Sequence, residues 1–418
     1  MKVGIAQVAL SHGGAERVGV LLANGLYQRG HQVSIYTDLN EAIVYPTDEG
    51  VRIVDFVGKP SNKIWKWIKA TYHLRKIIKR ERPDVIIGIM GLCTLVTYIA
   101  CLGLRVRVVM TEHNSFERPA SAPMPQSLKI FKFWINKLYK HVTVLTEADK
   151  KVIGNRLRHV TVMPNPLLLK PVEDIPQKDK TVLAAGRVDA WHYKGFDALV
   201  RTWKNLQKFN DDDNLRAWWL KIAGDGKKES FEYLTGLLPD GEWACNEDEN
   251  LDDEHKEWLW KSEKYHIEFL GFQKDMETLY QKSEIFVLSS RYEGFGLVLI
   301  EAMSQGCAPV ASDYKGRQAE ILYKRGERKE ERGVRKEERG KRREERGGDI
   351  EITKNGILCE PDNVEALASA LEKMMGDEEY RHQVQRAAVE RSMFYDMNHT
   401  MDRWEAYLNN EVLSKKKA

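Results

Sequence analysis

Cysteine and proline are scarce in this chain, and neither charge sign dominates. The five cysteines among 418 residues, at 93, 101, 245, 307 and 359, form no Cys-x-x-Cys pair and no metal-ligand spacing. That argues against a disulfide scaffold or a zinc module. The apolar neighbours of Cys93, Cys101, Cys307 and Cys359 instead predict buried free thiols in a reducing compartment. Lys and Arg number 65 against 62 Asp and Glu, and the resulting charge of +3 is too small to recruit nucleic acid as a partner. A hydrophobic content of 42% is that of a globular protein. The longest apolar stretch, Val85 to Leu104, is interrupted by Gly88, Gly91 and Gly103, so a strand followed by a buried helix is expected there and not a membrane span. The opening residues are apolar too briefly for a signal peptide and lack a small-residue cleavage site. These features predict a cytoplasmic protein.

Only 13 prolines are present, and three of them crowd into Pro164-Asn-Pro166-Leu-Leu-Leu-Lys-Pro171. Such a cluster prevents helix and disfavours a central strand, which marks a break between domains. Before it, strand-like runs fall at Lys2–Val8, His31–Thr37, Arg52–Phe56, Val85–Ile89, Val106–Thr111, Val142–Leu145 and Val160–Met163. After it they fall at Thr181–Ala185, Trp218–Ala223, His266–Leu270, Ile285–Leu288 and Ala308–Ser312. Helical patterns alternate with both series, which predicts an α/β protein with two doubly wound, Rossmann-like parallel sheets. The expected boundaries are 1–165, a linker at 166–180, and 181–393.

The most informative segment is Ile285-Phe-Val-Leu-Ser-Ser-Arg-Tyr-Glu293-Gly294-Phe295-Gly296-Leu297-Val-Leu-Ile-Glu301. An apolar strand, a glycine-bearing turn and a helix starting near Leu297 form an anion site, because the first N–H groups of a helix are unpaired and its dipole is positive there. Gly294 and Gly296 permit close approach of a ligand to the backbone. Carboxylates at Glu293 and Glu301 can accept hydrogen bonds from sugar hydroxyls, so a nucleotide sugar suits the segment. In Gly186-Arg187-Val-Asp-Ala-Trp-His-Tyr-Lys194-Gly195 a cation at each end of a short loop can close on a diphosphate. Gly13-Gly14-Ala-Glu follows the first strand at a helix start, where positive φ and backbone contact with an anion are expected. Its spacing is neither a Walker loop nor Gly-x-Gly-x-x-Gly. His113, in Thr111-Glu-His-Asn114, stands at the carboxyl end of a strand, where doubly wound sheets bind ligands.

The two glutamates with seven residues between them, set in Ser-Arg-Tyr-Glu-Gly-Phe-Gly-Leu-Val-Leu-Ile-Glu-Ala-Met, resemble the motif of retaining glycosyltransferases of family 4. The resemblance extends along nearly the whole chain. It implies the GT-B fold, two Rossmann-like domains facing each other across a cleft, with a final helix (394–418, bearing Trp404) crossing back to the first domain. It further implies that Glu293 lies by the donor sugar, that Glu301 binds the ribose, and that Arg187 and Lys194 hold the diphosphate. By the same resemblance, Gly13 and Gly14 face the donor, the backbone at Phe269-Leu-Gly271-Phe272 reads the base, and His113 touches the donor sugar or acceptor. The expected catalytic set is Glu293, His113, Arg187 and Lys194. The expected donor contacts are Gly13, Gly14, Arg187, Lys194, Gly271, Phe272, Glu293 to Leu297, and Glu301. No cofactor or metal is expected, since two cations and a helix terminus supply the positive charge. The donor expected is a nucleoside-diphosphate sugar, UDP-linked in preference to GDP-linked, and the acceptor a glycan on a lipid carrier. The competing readings are a GT-B epimerase, a sucrose- or glycogen-type synthase, and a catalytically silent sugar-nucleotide-binding protein.

Two stretches depart from the family pattern. Lys324 to Arg346 repeats a charged heptad with an apolar residue only at Val334, so it is read as a solvated insertion in the second domain. Asn246 to Glu257 is acidic and is read as a loop extension. Gly316-Arg-Gln-Ala-Glu320 also differs from the usual Gly-Gly-Pro-x-Glu. Finally, Lys63 to Arg82 and Leu128 to Lys140 mix Lys or Arg with Trp, Phe and Ile, as interfacial helices do. Peripheral contact with the inner face of a membrane is one expectation for them, and helices capping a sheet are the other.

Overall fold

The computed structural model describes residues 1–10, 13–40, 43–58, 63–120, 123–209, 213–247, 258–323 and 350–414. The repeat at 324–346 lies outside the described residues, as does most of the acidic stretch, 248–257. The chain divides into two units: Met1–Leu168 with Tyr395–Ala418, and Leu169–Phe394.

The first unit is a seven-stranded sheet of β1 (Lys2–Ala6), β2 (Gln32–Thr37), β3 (Arg52–Asp55), β4 (Val85–Ile89), β5 (Arg107–Thr111), β6 (His141–Val144) and β7 (Val160–Val162). Its order is β3-β2-β1-β4-β5-β6-β7, and every pair is parallel. Strands such as Val85-Ile-Ile-Gly-Ile89 are buried throughout because both faces of a parallel sheet are covered. One layer packs Tyr36, Ile86, Cys93 and Ala100 against Ala70, Leu74 and Ile78 of the helix Lys63–Glu81. The order reverses between β1 and β4, and the helices Gly14–Gln28 and Gly91–Cys101 follow those two strands. The helix Met397–Tyr407 also belongs to this unit. It buries Met401, Trp404 and Tyr407, and Gly25 on the first helix leaves room for the Met401 sulfur. Glu405 then receives Arg29 at 2.8 Å and His31 at 2.7 Å.

The second unit contains β8 (Asp179–Ala185), β9 (Trp219–Ala223), β10 (Ala244–Glu247), β11 (Trp258–Ser262), β12 (Ile267–Phe269), β13 (Ser283–Leu288), β14 (Ala308–Ser312), β15 (Ile350–Thr353) and β16 (Gly356–Cys359). The sheet order is β10-β11-β12-β9-β8-β13-β14-β16-β15. Strands β12 to β16 in that order run parallel, and the edge strands β10, β11 and β15 pair antiparallel. Leu220, Ile222, Val182, Ile285 and Val310 build the core with Trp203 and Phe231.

Several expectations need correction. The segment 166–180 is no free linker over most of its length. From Leu169 it belongs to the second unit, and the Lys178 ammonium donates to the carbonyls of Tyr280, Gln281 and Gln305. The domain border falls after Leu168, and the closing segment begins at Tyr395. The edge strands were hidden for two reasons. Strands β10 and β11 are short and are separated by the acidic stretch, which masks the pairing of Cys245 with Trp260. Strands β15 and β16 are four residues each, too short for alternation to register.

Candidate active site

In the second unit the strand order reverses between β8 and β13, which are neighbours in the sheet but far apart in sequence. Such a reversal opens a crevice at the carboxyl ends of the strands, since the two following connections leave to opposite faces. The loop 186–195 follows β8 and the loop 289–296 follows β13. They meet there: Lys194 Nζ lies 2.6 Å from Glu293 Oε1, and Ser290 Oγ donates to the same oxygen at 2.8 Å. Glu293 Oε2 has no partner among the described residues, which leaves it available to a ligand hydroxyl.

Backbone packing brings these loops together. A Cβ on Gly195, at φ +66°, would fall 2.0 Å from the carbonyl oxygen of Ser289, so only glycine lets the two loops touch. Ser289 Oγ donates to Lys194 O, and Arg291 N to Tyr193 O. The buried Arg291 guanidinium completes the fastening. It donates to both Asp197 oxygens at 2.7 and 2.9 Å and also pairs with Asp362. Those carboxylates hold its pKa above the ordinary arginine value. Arg291 and Asp197 were given no role from the sequence. No local signal marks the pair, since each residue stands among other polar and charged residues, Ser289, Ser290 and Glu293 on one side and Lys194 on the other.

The helix Leu297–Ser304 begins behind Gly296, which sits at φ 103° and offers no side-chain cap. Leu299 N donates to Gly296 O, while the N–H groups of Leu297 and Val298 have no partner among the described residues and are open to an anion. The neighbouring helix Arg317–Leu322 differs, because Asp313 Oδ1 accepts from the N–H groups of Gln318 and Ala319. The departure at Gly316–Glu320 thus coincides with a terminus already filled by the chain's own carboxylate. Arg187 is exposed and makes no ion pair among the described residues. Glu301 is only 3% exposed, with Tyr280 Oη at 3.4 Å from its carboxylate. Gly271 has φ +65°, Phe272 is exposed, and Gly224 N donates to Gly271 O, which joins the turns after β9 and β12. A shallow concavity lined by Lys180, Trp219 and Lys221 opens at the opposite ends of these strands, away from the crevice.

In the first unit the Gly13-Gly14 pair departs from its expected geometry. Gly13 is extended at φ 179°, and neither glycine lies in the left-handed region. A Cβ on Gly13 would meet only the movable end of the Glu16 side chain, whose carboxylate lies 2.0 Å from that position. The helix starts at Gly14, earlier than its apolar pattern suggests, and Glu16 already lies in its positive first turn.

His113 follows β5. Thr111 Oγ1 donates to Gly88 O and lies 3.2 Å from His113 Nε2, so its proton is committed and Nε2 carries the donating hydrogen. Burial pushes the imidazole down to about 4, against an opposing contribution from Asn165. At neutral pH the ring is uncharged and suits a hydroxyl better than a phosphate.

Among the described residues no cluster of His, Cys, Asp and Glu is gathered as a metal site. One literal Asp-x-Asp, 211–213, follows the helix Phe196–Phe209 and not a strand end of the crevice, and its first two residues lie outside the described ones.

Comparison with known proteins agrees with this arrangement. Residues 12–168 match the glycosyltransferase family 4 domain, and residues 168–326 match the group 1 glycosyl transferases. An uncharacterized glycosyltransferase of Haemophilus influenzae is 25% identical over 95% of this chain and 97% of its own. A Campylobacter jejuni α-1,4-N-acetyl-D-galactosaminyltransferase, named for a diphospho-undecaprenol-linked acceptor, is 24% identical over 97% of both. The sucrose-phosphate synthase of Thermosynechococcus elongatus shares the fold, with a TM-score of 0.71 at 18% identity over 97% of this chain and 98% of that one. Two Rossmann-like sheets and two adjoining family matches that together run from 12 to 326 identify the chain as a family 4-like glycosyltransferase of the GT-B fold.

Proposed function

We propose that this protein transfers a hexose or N-acetylhexosamine, with retention of anomeric configuration, from a UDP-linked sugar to a surface glycan carried on a lipid. The observation that carries the reading is the meeting of Lys194, Glu293 and an uncapped helix N-terminus at the strand reversal. The helix terminus and Arg187 receive the diphosphate, and Lys194 stabilises the charge that develops on it as the glycosidic bond breaks. Glu293, fixed through Oε1, offers Oε2 to a sugar hydroxyl. The departing phosphate oxygen accepts the acceptor's proton on the face it leaves, which preserves configuration without a glycosyl-enzyme. Neutral His113 takes a hydroxyl of the donor sugar or acceptor. No metal is needed on this reading, so chelation with EDTA leaves turnover unchanged. The relative named for a diphospho-undecaprenol-linked glycan supports the acceptor class.

A panel of UDP- and GDP-sugars, followed by NMR of the product anomer and mass spectrometry within the first turnover, tests the proposal. A retained anomer with no adduct is expected, with UDP-sugars preferred. An inverted product excludes the mechanism, and a stable adduct on Glu293 makes that residue the nucleophile.

Contact with an anionic membrane surface belongs to the same proposal, with the cytoplasm as the compartment. No described helix is long and apolar enough to cross a membrane. On the helix Lys63–Glu81, however, Trp65 is 59% exposed, and Ile68 and Tyr72 follow at intervals of three and four residues on the same face. The exposed Lys69 and Lys76 border that stripe, and Lys76 lies over the Tyr72 ring. An apolar stripe edged by lysines is suited to the headgroup region. Co-sedimentation with phosphatidylglycerol vesicles, lost on Trp65→Ser and Tyr72→Ser, is expected. Equal failure to bind anionic and neutral vesicles at low salt removes the membrane from the reading.

A further inference from the structure

The short helix Gln126–Phe133 buries the wrong residue. Its buried side chain is Lys132, with no exposure at all, while Ile130 is exposed and Trp134, just beyond, is 68% exposed. A helix packed by its apolar stripe alone would be turned the other way. What holds the lysine inside is the loop after β5. Lys132 Nζ donates to Asn114 O at 2.8 Å, stands 3.2 Å from Glu112 Oε2, and lies 4.3 Å from the centre of the Phe116 ring. Glu112 Oε1 in turn accepts the Asn114 N–H at 3.1 Å. The pair therefore holds both backbone polar groups of Asn114, and Glu112 is itself part of the pair. His113 is the residue between them. Further along, Asp149 accepts from Phe116 N at 2.8 Å and from Ser115 Oγ, which braces the far side of the loop.

A buried ion pair is a poor source of stability, because desolvation of the two charges offsets most of their attraction. Its geometry is what an apolar pair of the same size would not reproduce: a fork of donors and acceptors gripping the peptide units on either side of Asn114, directly after His113. We propose that Lys132, acting with Glu112, is a positioning residue that sets the His113 imidazole for the transfer step. The inference rests on the reading of His113 as a group that touches the donor sugar or the acceptor.

The test uses the full chain and three changes: His113→Ala, the double change Glu112→Leu with Lys132→Met, and all three together. Melting temperature, UDP affinity by calorimetry, and kcat for UDP release from the fastest UDP-sugar are measured for each. The double variant, having lost both buried charges, should melt within about 3 °C of the parent. It should bind UDP within about twofold of the parent yet lose roughly tenfold or more in kcat. Adding the double change to His113→Ala should cost less than about twofold further, since both act on one group. Parent-like kcat in the double variant overturns the proposal, as does a full additional loss in the His113→Ala background. A fully active His113→Ala would instead remove the reading of His113 itself, while an inactive His113→Ala beside an active double variant removes only the positioning. If the double variant does not fold, Lys132→Arg and Lys132→Met assayed below their own melting points decide the matter. Arg keeps the donors and a rate within about threefold of the parent while Met does not, and equal rates for the two sink the idea.

Discussion

Lys194, 2.6 Å from the Glu293 carboxylate, is partly neutralised before any ligand arrives, whereas Arg187 keeps its charge exposed to solvent. The two cations that look equivalent in sequence should therefore behave differently. Arg187→Ala removes a charge-assisted contact of about 1.5–3 kcal/mol and is expected to weaken UDP binding roughly tenfold or more. Lys194→Ala should cost UDP itself less, because the protein also loses an existing ion pair, but should cost turnover more, because Glu293 is released. Calorimetry with UDP and initial rates with a UDP-sugar separate the two effects. Unchanged UDP affinity in both variants would remove the loop 186–195 from the donor site. Glu293→Gln keeps the shape and one acceptor oxygen, so it should lower kcat through weaker sugar binding and leave UDP affinity within about twofold of the parent.

Between elements, Arg291 is the strongest tie in the second unit, joining the loop after β13 to Asp197 on the helix Phe196–Phe209 and to Asp362. Arg291→Ala leaves the Asp197 carboxylate without its counter-charge in a largely enclosed place. The expected cost is about 3–5 kcal/mol, or a melting temperature lower by about 10 °C. A shift of only a degree or two would show that the network contributes little.

In the first unit the sensitive element is β6, where His141 packs beside His159 and Tyr407. Burial, with Lys140, His159 and Arg107 adding repulsion, pushes the imidazole down to about 4. His113 is lowered to about 4 by burial as well. Both rings stay neutral in the folded protein while the unfolded chain takes up protons from near 6.5, the ordinary histidine value. Stability is therefore full above pH 6.5 and is lost as pH falls from 6.5 towards 4. Melting curves across that window should show His141→Phe losing less stability on acidification than the parent. Identical slopes would exclude His141 as a source.

For the whole molecule, the charged repeat offers the clearest test of independence. The residues on either side of 324–349 are neighbours in space: Tyr323 Oη donates to Glu351 Oε1 at 2.7 Å, and β15 begins at Ile350. Deleting 324–346 leaves Gly347, Gly348 and Asp349 to join flanks that already touch, and the deleted stretch carries a single apolar residue, Val334, to offer a core. Melting temperature within about 2 °C of the parent and unchanged UDP affinity are expected. A large fall in either would make the repeat structural.

The alternation of strands and helices, the Pro-rich break and the Glu293–Glu301 segment were legible because each rests on local chemistry: apolar period, fixed proline φ, and a glycine turn before a helix. Strands β4 and β14 carry the bounds read from their residues alone, Val85–Ile89 and Ala308–Ser312. Side-chain partnership over long separations could not be read this way. Lys194 meets Glu293, and Arg291 meets Asp197, across about a hundred residues of chain, and nothing in either loop announces its partner. The Leu128–Lys140 segment carries a periodicity that suits an amphipathic helix. The structure instead shortens it to Gln126–Phe133 and turns Lys132 inward, because a distant carboxylate and a distant carbonyl outweigh the helix's own apolar stripe. The sequence by itself determined the fold class and the family. Tertiary structure decided which charges are already paired, which helix terminus is open and which histidine is held neutral, because burial and cross-strand proximity exist only once the sheet is formed.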